Sequence, residues 1–214
     1  MNQNLIIFYF FIYIQIYYPI DGVTNTLVDN DTSSTQCSQM SENVISRCME
    51  PILKYSNNVQ KSSPKNAKWT LQSGYAFKEL CSLYKDFQKC TSSITCHSLS
   101  KLGIEASYHY MCGEGYPIFE KHSKCFSEIE TENTYLECKN NASNEMETIL
   151  DWRQKDQIRY FAELCNVMEN YLECCKPYVV NKCGKQAWEL VSKITTDSLQ
   201  VTMPNCNVNK ALFI

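Results

Sequence analysis

Two histidine–cysteine pairs have the spacing of zinc ligands. They are His109-x-x-Cys112 and His122-x-x-Cys125. Residues three apart on a helix lie on the same side, so each pair would place two zinc-binding side chains next to one another. Only a reduced cysteine binds metal or acts as a nucleophile, so both functions are lost where these cysteines form disulfides. Because the observations below favour disulfides, we predict no metal site, no cofactor and no Cys–His nucleophile.

The other candidates for catalysis lack a partner group. Cys174-Cys175 is similar to the double cysteine of secreted phospholipases, but Lys176-Pro177 follows it where such an enzyme has His-Asp. Glu128, Glu130 and Glu132 alternate along a segment expected to be helical, which predicts a solvated face rather than converging carboxylates. The sequence contains no serine-hydrolase, zinc-protease, phosphate-loop or calcium-loop motif. We therefore predict that the protein is not an enzyme.

An apolar run without a charged side chain extends from Leu5 to Tyr18 and is followed by Pro19 and Asp21-Gly22. This run is shorter than the roughly twenty residues that a transmembrane helix needs, and the polar residues after it suit a cleavage site. The sequence thus predicts a signal peptide over residues 1–22 and a flexible leader over 23–36. An uncleaved signal anchor is the alternative. No other stretch is expected to span a membrane, so we predict a secreted, extracellular protein.

All thirteen cysteines follow this leader. In a secreted chain this density predicts disulfides rather than metal ligands. The cysteines expected to form bridges are Cys37, Cys48, Cys81, Cys90, Cys96, Cys112, Cys125, Cys138, Cys165, Cys174, Cys183 and Cys206. Thirteen is an odd number, so at least one thiol is free or pairs with another chain.

Apolar residues recur at steps of three or four through most of the chain, and no segment alternates with a period of two. The pattern predicts an all-α fold, a disulfide-stapled bundle of several helices over residues 37–206 with a tail at 207–214. A polar hinge at 140–143 would divide the bundle into halves of about 37–138 and 144–206. We expect the long helix of the second half to end before Pro177.

An internal repeat relates the two halves. Phe77-Lys-Glu-Leu-Cys81, with Cys90 nine positions later, is matched by Phe161-Ala-Glu-Leu-Cys165 with Cys174. Nine residues of α-helix turn through about 900°, so the two cysteines lie on opposite sides and can tie the helix to two different neighbours. Cys175 has no counterpart and is the predicted odd thiol, with Cys37 as the alternative. If it is exposed, a disulfide-linked homodimer through Cys175 is expected.

Charge and sequons describe the expected surface. The formal net charge is −3, and three lysines between Lys61 and Lys68 lack interleaved aromatic residues, which predicts a solvated loop and no nucleic-acid partner. The sequons Asn30-Asp-Thr and Asn141-Ala-Ser predict N-glycosylation at Asn30 and Asn141.

Further residues match a framework known from nematodes, mostly in the C-terminal half: Leu164-Cys165, Tyr171, Cys174, Pro177, Cys183-Gly184, Ala187-Trp188 and Pro204-x-Cys206, and more loosely Leu80-Cys81, Cys90, Cys96 and Met111-Cys112-Gly113. Across 37–206 the chain resembles nematode secreted domains of the chondroitin proteoglycan 4 type and a sister nematode cysteine-rich secreted family of unknown function. The first resemblance implies chondroitin on serine in Ser-Gly sites. The candidate here, Ser73, begins an apolar helix rather than lying in an acidic flexible segment, so it is a weak acceptor.

Together these features predict a secreted cysteine-rich interaction or extracellular-matrix module without catalytic activity, whose partner is an extracellular protein or glycan. The alternative is an extracellular carrier of a lipid or another apolar ligand. Small helical disulfide bundles often leave a cavity between helices, and 12% of the residues are aromatic.

Overall fold

The computed structural model of the protein describes residues 36–61 and 74–213. Within these ranges the chain forms nine helices: α1 (Gln39–Lys61), α2 (Gly74–Cys90), α3 (Leu99–Cys112), α4 (Tyr116–Ile129), α5 (Asn133–Ile149), α6 (Trp152–Lys155), α7 (Gln157–Cys183), α8 (Lys185–Thr202) and α9 (Asn209–Leu212). The β structure of the described ranges is limited to an isolated bridge between Gln36 and His97. The predicted all-α, disulfide-stapled fold is confirmed.

Local capping interactions set several helix ends. At the start of α3 the Ser98 hydroxyl accepts a hydrogen bond of 3.2 Å from the backbone N–H of Lys101. At the start of α7 the Asp156 carboxylate accepts one of 3.0 Å from the N–H of Arg159. Each cap satisfies an amide that has no partner inside the helix. Gly184 separates α7 from α8 with a φ of 88°, a conformation that residues with a Cβ rarely adopt.

Two prolines lie inside helices. α1 continues past Pro51, and α7 continues past Pro177 to Cys183. Proline removes the hydrogen bond to the carbonyl four residues earlier, which belongs to Arg47 in α1 and to Glu173 in α7. Both residues are exposed, so water can bind the freed carbonyls. The prediction that the long helix ends before Pro177 is therefore wrong.

The disulfides form two groups with the same connectivity. The first group is Cys37–Cys96, Cys48–Cys90 and Cys81–Cys112, and the second is Cys125–Cys183, Cys138–Cys174 and Cys165–Cys206. In each group the first cysteine pairs with the fifth, the second with the fourth and the third with the sixth. Residues 37–206 thus consist of two units. In unit 1, α1, α2 and α3 take the places that α5, α7 and α8 take in unit 2.

The two repeated cysteines of each central helix are bonded to two different neighbours, as the repeat predicts. In unit 1, α2 is bonded through Cys81 to α3 and through Cys90 to α1. In unit 2, α7 is bonded through Cys174 to α5 and through Cys165 to the segment after α8, and its last residue, Cys183, is also bonded to α4.

The boundary between the units differs from the expected one. The predicted first half, 37–138, includes Cys125 and Cys138, but both are bonded to α7. The division therefore lies between Cys112 and Cys125, and residues 140–143 lie inside α5. The polar run there includes the exposed Asn140 and Asn141, so its composition reflects the solvent side of a helix and not a hinge.

The units pack through equivalent helices. α3 of unit 1 and α8 of unit 2 share one of the two most extensive helix contacts of the described chain, the other being between α5 and α7. Both helices contribute a fully buried large side chain, Tyr108 and Trp188, to one continuous hydrophobic core. No disulfide within the described ranges joins the two units, so their association depends on this packing and on the connecting chain.

The C-terminal segment is part of the core and not a free tail. After Cys206 the chain turns back, and Val208, Ala211 and Leu212 are buried against α7 and α8. The backbone carbonyl of Leu212 accepts hydrogen bonds from the Trp188 indole N–H at 2.7 Å and from the Ser192 hydroxyl at 3.1 Å. The expectation of a separate tail at 207–214 is therefore wrong up to Leu212.

Candidate functional site

The histidine–cysteine pairs do not form a metal site. Cys112 is bonded to Cys81, and Cys125 is bonded to Cys183. Within residues 36–61 and 74–213, no group of three or more His, Cys, Asp or Glu side chains is arranged to hold a metal ion. The cysteines that would act as zinc ligands are thus oxidised in this fold.

Five polar side chains are buried together where the end of α4 and the helix α5 meet α7. We call them the buried polar cluster: Glu130 after α4, Tyr135 and Lys139 of α5, and Tyr171 and Cys175 of α7. None of the five is more than 7% exposed. The two residues from each helix are four apart, so they share a face. Cys175 carries the free thiol of the described chain.

The tyrosines and the cysteine of the cluster are hydrogen-bonded to one another, whereas the side chains of Lys139 and Glu130 have no hydrogen-bond partner among the described residues. The hydroxyls of Tyr135 and Tyr171 are 3.1 Å apart, and the Tyr171 hydroxyl is hydrogen-bonded to the Cys175 thiol. The Lys139 Nζ lies 5.9 Å from the centre of the Tyr135 ring. Among the described residues, neither this Nζ nor either carboxylate oxygen of Glu130 has a hydrogen-bond partner. Buried charges without such partners are costly, so both groups favour their neutral forms.

Burial shifts the ionisation of these groups. It raises the pKa of the Glu130 carboxyl to about 7, against the opposing effect of the Lys139 charge. It also lowers the pKa of Lys139, against the opposing effects of Glu130 and Cys175. Burial raises the pKa of the Cys175 thiol to about 12, partly offset by the Tyr171 hydrogen bond and by Lys139. Because the thiolate is the reactive form, this thiol is inert at neutral pH.

The predicted solvated glutamate face is wrong for one of its three members. Glu128 and Glu132 are at the surface, 3.8 Å from Lys124 and 2.9 Å from Lys182 respectively. Glu130 is buried because α4 ends at Ile129 and the chain turns there before α5 begins, so the helical alternation does not continue. The sequence signal for the cluster was the spacing of Tyr135 and Lys139, which mirrors the spacing of Tyr171 and Cys175.

Cys175 is not positioned to join two chains. The alternative odd cysteine, Cys37, is bonded to Cys96. The Cys175 side chain has no exposed surface, because it lies on the face of α7 that Tyr171 also buries. The expectation of an exposed thiol is therefore wrong, and with it the premise of a homodimer linked through Cys175.

We predict that thiol reagents modify Cys175 far more slowly in the folded protein than in urea at neutral pH. Its burial and its raised pKa both oppose reaction. Maleimide labelling followed by intact-mass measurement is expected to give one adduct rapidly in urea and only slow formation of that adduct in buffer. Rapid labelling in buffer would contradict the buried position.

The matched variant is Cys175→Ala, which removes the sulfur but no disulfide. It is expected to remain folded, with a loss of about 1 kcal/mol of stability from the small cavity. Mispairing of the other cysteines in this variant would show instead that the thiol guides disulfide formation.

The predicted secretory features fall mainly outside the described residues. The signal peptide over 1–22, most of the leader, Asn30 and Ser73 all lie there, and their assignments stay predictions. Asn141 lies on the exposed side of α5, where an attached glycan would extend into solvent. None of the helices within the described ranges combines the length and the apolar character needed to cross a membrane.

A groove of about 410 Å³ runs between α5 and α7 and is open to solvent. Its lining is mostly carboxylates, amides and a hydroxyl: Glu145, Thr148, Ile149, Glu163, Asn166, Val167, Glu169 and Asn170. The Asn170 amide donates a hydrogen bond of 3.2 Å to Glu145 across it. Such a lining suits water or a hydrophilic ligand better than a lipid chain.

Comparison with known proteins gives a family match and relatives from one nematode. A family model described as "Domain of unknown function (DUF19)" matches residues 35–207. The uncharacterized protein ZK370.6 of Caenorhabditis elegans is 22% identical over 184 residues, which cover 78% of this chain and 87% of that protein. The uncharacterized protein F44E2.4 of the same organism is 20% identical over 182 residues, which cover 84% of this chain but 12% of that protein. No solved structure matches significantly.

Proposed function

This chain belongs to the family of the domain of unknown function DUF19, and from its disulfide framework we propose that it is a secreted interaction or matrix module without catalytic activity. The observation that carries the proposal is the repeated set of three bridges in each unit. Six disulfides require an oxidising compartment to form and persist. The partner that we propose is an extracellular protein or glycan.

The family match bears on the two resemblances in different ways. It supports the nematode cysteine-rich family of unknown function. It does not extend to the chondroitin proteoglycan 4 type, so the proposal does not include an attached glycosaminoglycan chain.

The absence of catalysis is proposed from the chemistry of the reactive groups. The free thiol of the described chain and the buried Glu130 and Lys139 all lie in the buried polar cluster, and this thiol is protonated at neutral pH. A catalytic group must touch its substrate, and none of these five side chains reaches solvent to a useful extent. The alternative of a lipid carrier gains no support from the groove between α5 and α7, because its lining is polar.

We predict that expression of the full chain in a eukaryotic secretory host yields protein in the medium that lacks residues 1–22. Its intact mass is expected to be lower than that of the reduced chain by the twelve hydrogens that six disulfides remove. After denaturation without reductant, a single thiol should react with maleimide.

The control is a chain that begins after residue 22, which should stay inside the cell. Retention of the full chain with Met1 unprocessed, or a majority of free thiols in the medium, would contradict the proposal. Native mass spectrometry of the secreted protein separates the two classes of function, because a carrier retains a co-purified apolar ligand and an interaction module does not.

A further inference from the structure

The buried polar cluster lies between two disulfides. Cys125–Cys183 joins α4 to the end of α7, and Cys138–Cys174 joins α5 to the middle of α7. Between these bridges the chain makes the α4–α5 corner, residues 130–132, which contributes Glu130 to the cluster. The corner can therefore move away from α7 only within limits that the two bridges set.

The repeat shows what the same framework looks like without these polar groups. Aligning Cys138–Cys174 of unit 2 with Cys48–Cys90 of unit 1 makes four residues of the cluster equivalent to residues of α1, α2 and the turn after α2: Tyr135 to Ile45, Lys139 to Met49, Tyr171 to Phe87 and Cys175 to Thr91. Ile45 and Phe87 are buried, and Met49 packs against the core.

Thr91, the polar residue among these four unit 1 positions, has a hydrogen-bond partner for its hydroxyl. Thr91 donates a hydrogen bond of 2.9 Å from its hydroxyl to the carbonyl of Phe87. Unit 1 thus packs this position without a buried charge, so the framework itself does not require Lys139 or Glu130. An unpartnered buried lysine and carboxyl are destabilising compared with such packing, so packing alone does not account for their presence.

We propose that Glu130, together with Lys139, forms a pH-dependent lock, which holds the α4–α5 corner against α7 below neutral pH and loosens it above neutral pH while both flanking disulfides stay intact. In the closed lock the Glu130 carboxyl is protonated and neutral, as its burial requires. When it ionises, the carboxylate favours the open arrangement in which water can reach it.

The direction of the pH effect follows from the proton affinity of Glu130 in the two arrangements. Its pKa is about 7 when closed and near the ordinary 4.5 when solvated, so the closed lock binds the proton more tightly. The lock is therefore most stable below pH 4.5 and loses stability as the pH rises toward 7. The opening constant should increase roughly 70-fold between pH 5 and pH 8.

The other titratable groups around Glu130 either change the pH dependence of the lock or stay neutral in this range. Lys139 of α5 lowers the pKa of Glu130 by its positive charge. Burial lowers the pKa of Lys139 in the closed lock below its ordinary value of 10.5. Deprotonation of Lys139 therefore stabilises the closed lock as the pH rises toward 10.5, which is opposite to the effect of Glu130. The hydroxyl of Tyr135, close to Glu130, has a pKa raised well above 10, and Cys175 titrates near 12, so both stay neutral in this range.

Cys175 provides a built-in reporter, because a reagent reaches its thiol only when the lock opens. The experiment measures the maleimide labelling rate of the oxidised protein from pH 5 to pH 8. Each rate is divided by the rate in urea at the same pH, which removes the intrinsic effect of pH on the thiol. We expect this ratio to rise roughly 70-fold in the wild type, whereas Glu130→Gln, whose side chain cannot ionise, should lack this rise.

Two further variants make the test specific. Glu128→Gln makes the same change of charge at an exposed position of α4, and it should keep the wild-type slope. Lys139→Met places the unit 1 residue in α5, and it should move the rise to higher pH, because the charge that lowers the pKa of Glu130 is lost.

A constant ratio in the wild type, or a Glu130→Gln slope equal to that of the wild type, would overturn the proposal. If Glu130→Gln does not fold, amide hydrogen exchange at residues 130–139 of the wild type decides. After correction for intrinsic exchange, opening there must increase with pH while exchange in α1 does not, and equal behaviour of both regions would refute the lock. Both measurements use the purified oxidised protein, so their outcome is independent of the proposed function.

Discussion

Truncation of the chain after Asn207 is expected to lower the free energy of unfolding by about 4 kcal/mol. The deletion removes the buried side chains of Val208, Ala211 and Leu212 from the core. It also removes the Leu212 carbonyl, to which the buried Trp188 indole N–H and the Ser192 hydroxyl donate. Because Cys206 is retained, all six disulfides are unaffected, and the loss reports packing and hydrogen bonding alone.

Urea unfolding without reductant, followed by tryptophan fluorescence, measures this loss. The emission of Trp188 should also shift to longer wavelength in the truncated protein at zero urea, because its indole becomes exposed. The control is a chain that ends at Leu212, which lacks the exposed Phe213 and should lose less than about 1 kcal/mol. Equal stability of the chains that end at Asn207 and Leu212 would show that α9 is not part of the core.

Replacing a first-to-fifth bridge by two alanines is expected to have an effect of the same size in either unit. The bridge Cys37–Cys96 closes a segment of 59 residues, and Cys125–Cys183 closes one of 58 residues. Because the inner bridges Cys48–Cys90 and Cys138–Cys174 stay closed in the unfolded chain, the effective loops are much shorter, and each outer bridge restricts the unfolded chain by about 3 kcal/mol in the chain-entropy description. The equivalence of the two units therefore predicts matching losses for Cys37→Ala/Cys96→Ala and Cys125→Ala/Cys183→Ala.

Urea midpoints and slopes of the oxidised variants test this prediction, with Cys175→Ala as the control that removes a cysteine but no bridge. Both cysteines of a pair must be replaced, since a single replacement leaves a thiol that can attack a neighbouring disulfide. A large loss in one unit with little change in the other would mean that the repeated connectivity does not produce repeated energetics.

The helices were predictable because each one has a buried stripe that appears in sequence as a period of three or four. The repeat of Cys81 and Cys90 with Cys165 and Cys174 also predicted two neighbours for each central helix, which the bridges confirm. The identity of each partner was not predictable, since spacing along the chain does not say which distant cysteines meet in space.

Two features were not predicted, because the local preferences of proline and of charged residues favour a different structure at these positions. Proline is expected to end a helix, but at Pro177 the bridges of Cys174 and Cys183 hold the helix on both sides. A lysine or glutamate is expected to be exposed, and only the alignment of Lys139 with Met49 of the other unit marks an apolar position. Tertiary contacts outweigh local preference at both places.

The pairing of the first and fifth cysteines determines how the protein responds to a pulling force. Tension applied to the two ends of the chain passes directly from Cys37 to Cys96 and from Cys125 to Cys183, because each disulfide is the shortest covalent path. The helices α1, α5 and α6 therefore lie off the load path. The bridges Cys81–Cys112 and Cys165–Cys206 limit how far α3 and α8 can extend, because the chain back from Cys183 to Cys165 is shorter than the chain forward to Cys206. Under strain each unit can thus lengthen only by short segments of α2, α3, α7 and α8, whereas the connection from Cys112 to Cys125 and the two ends extend freely.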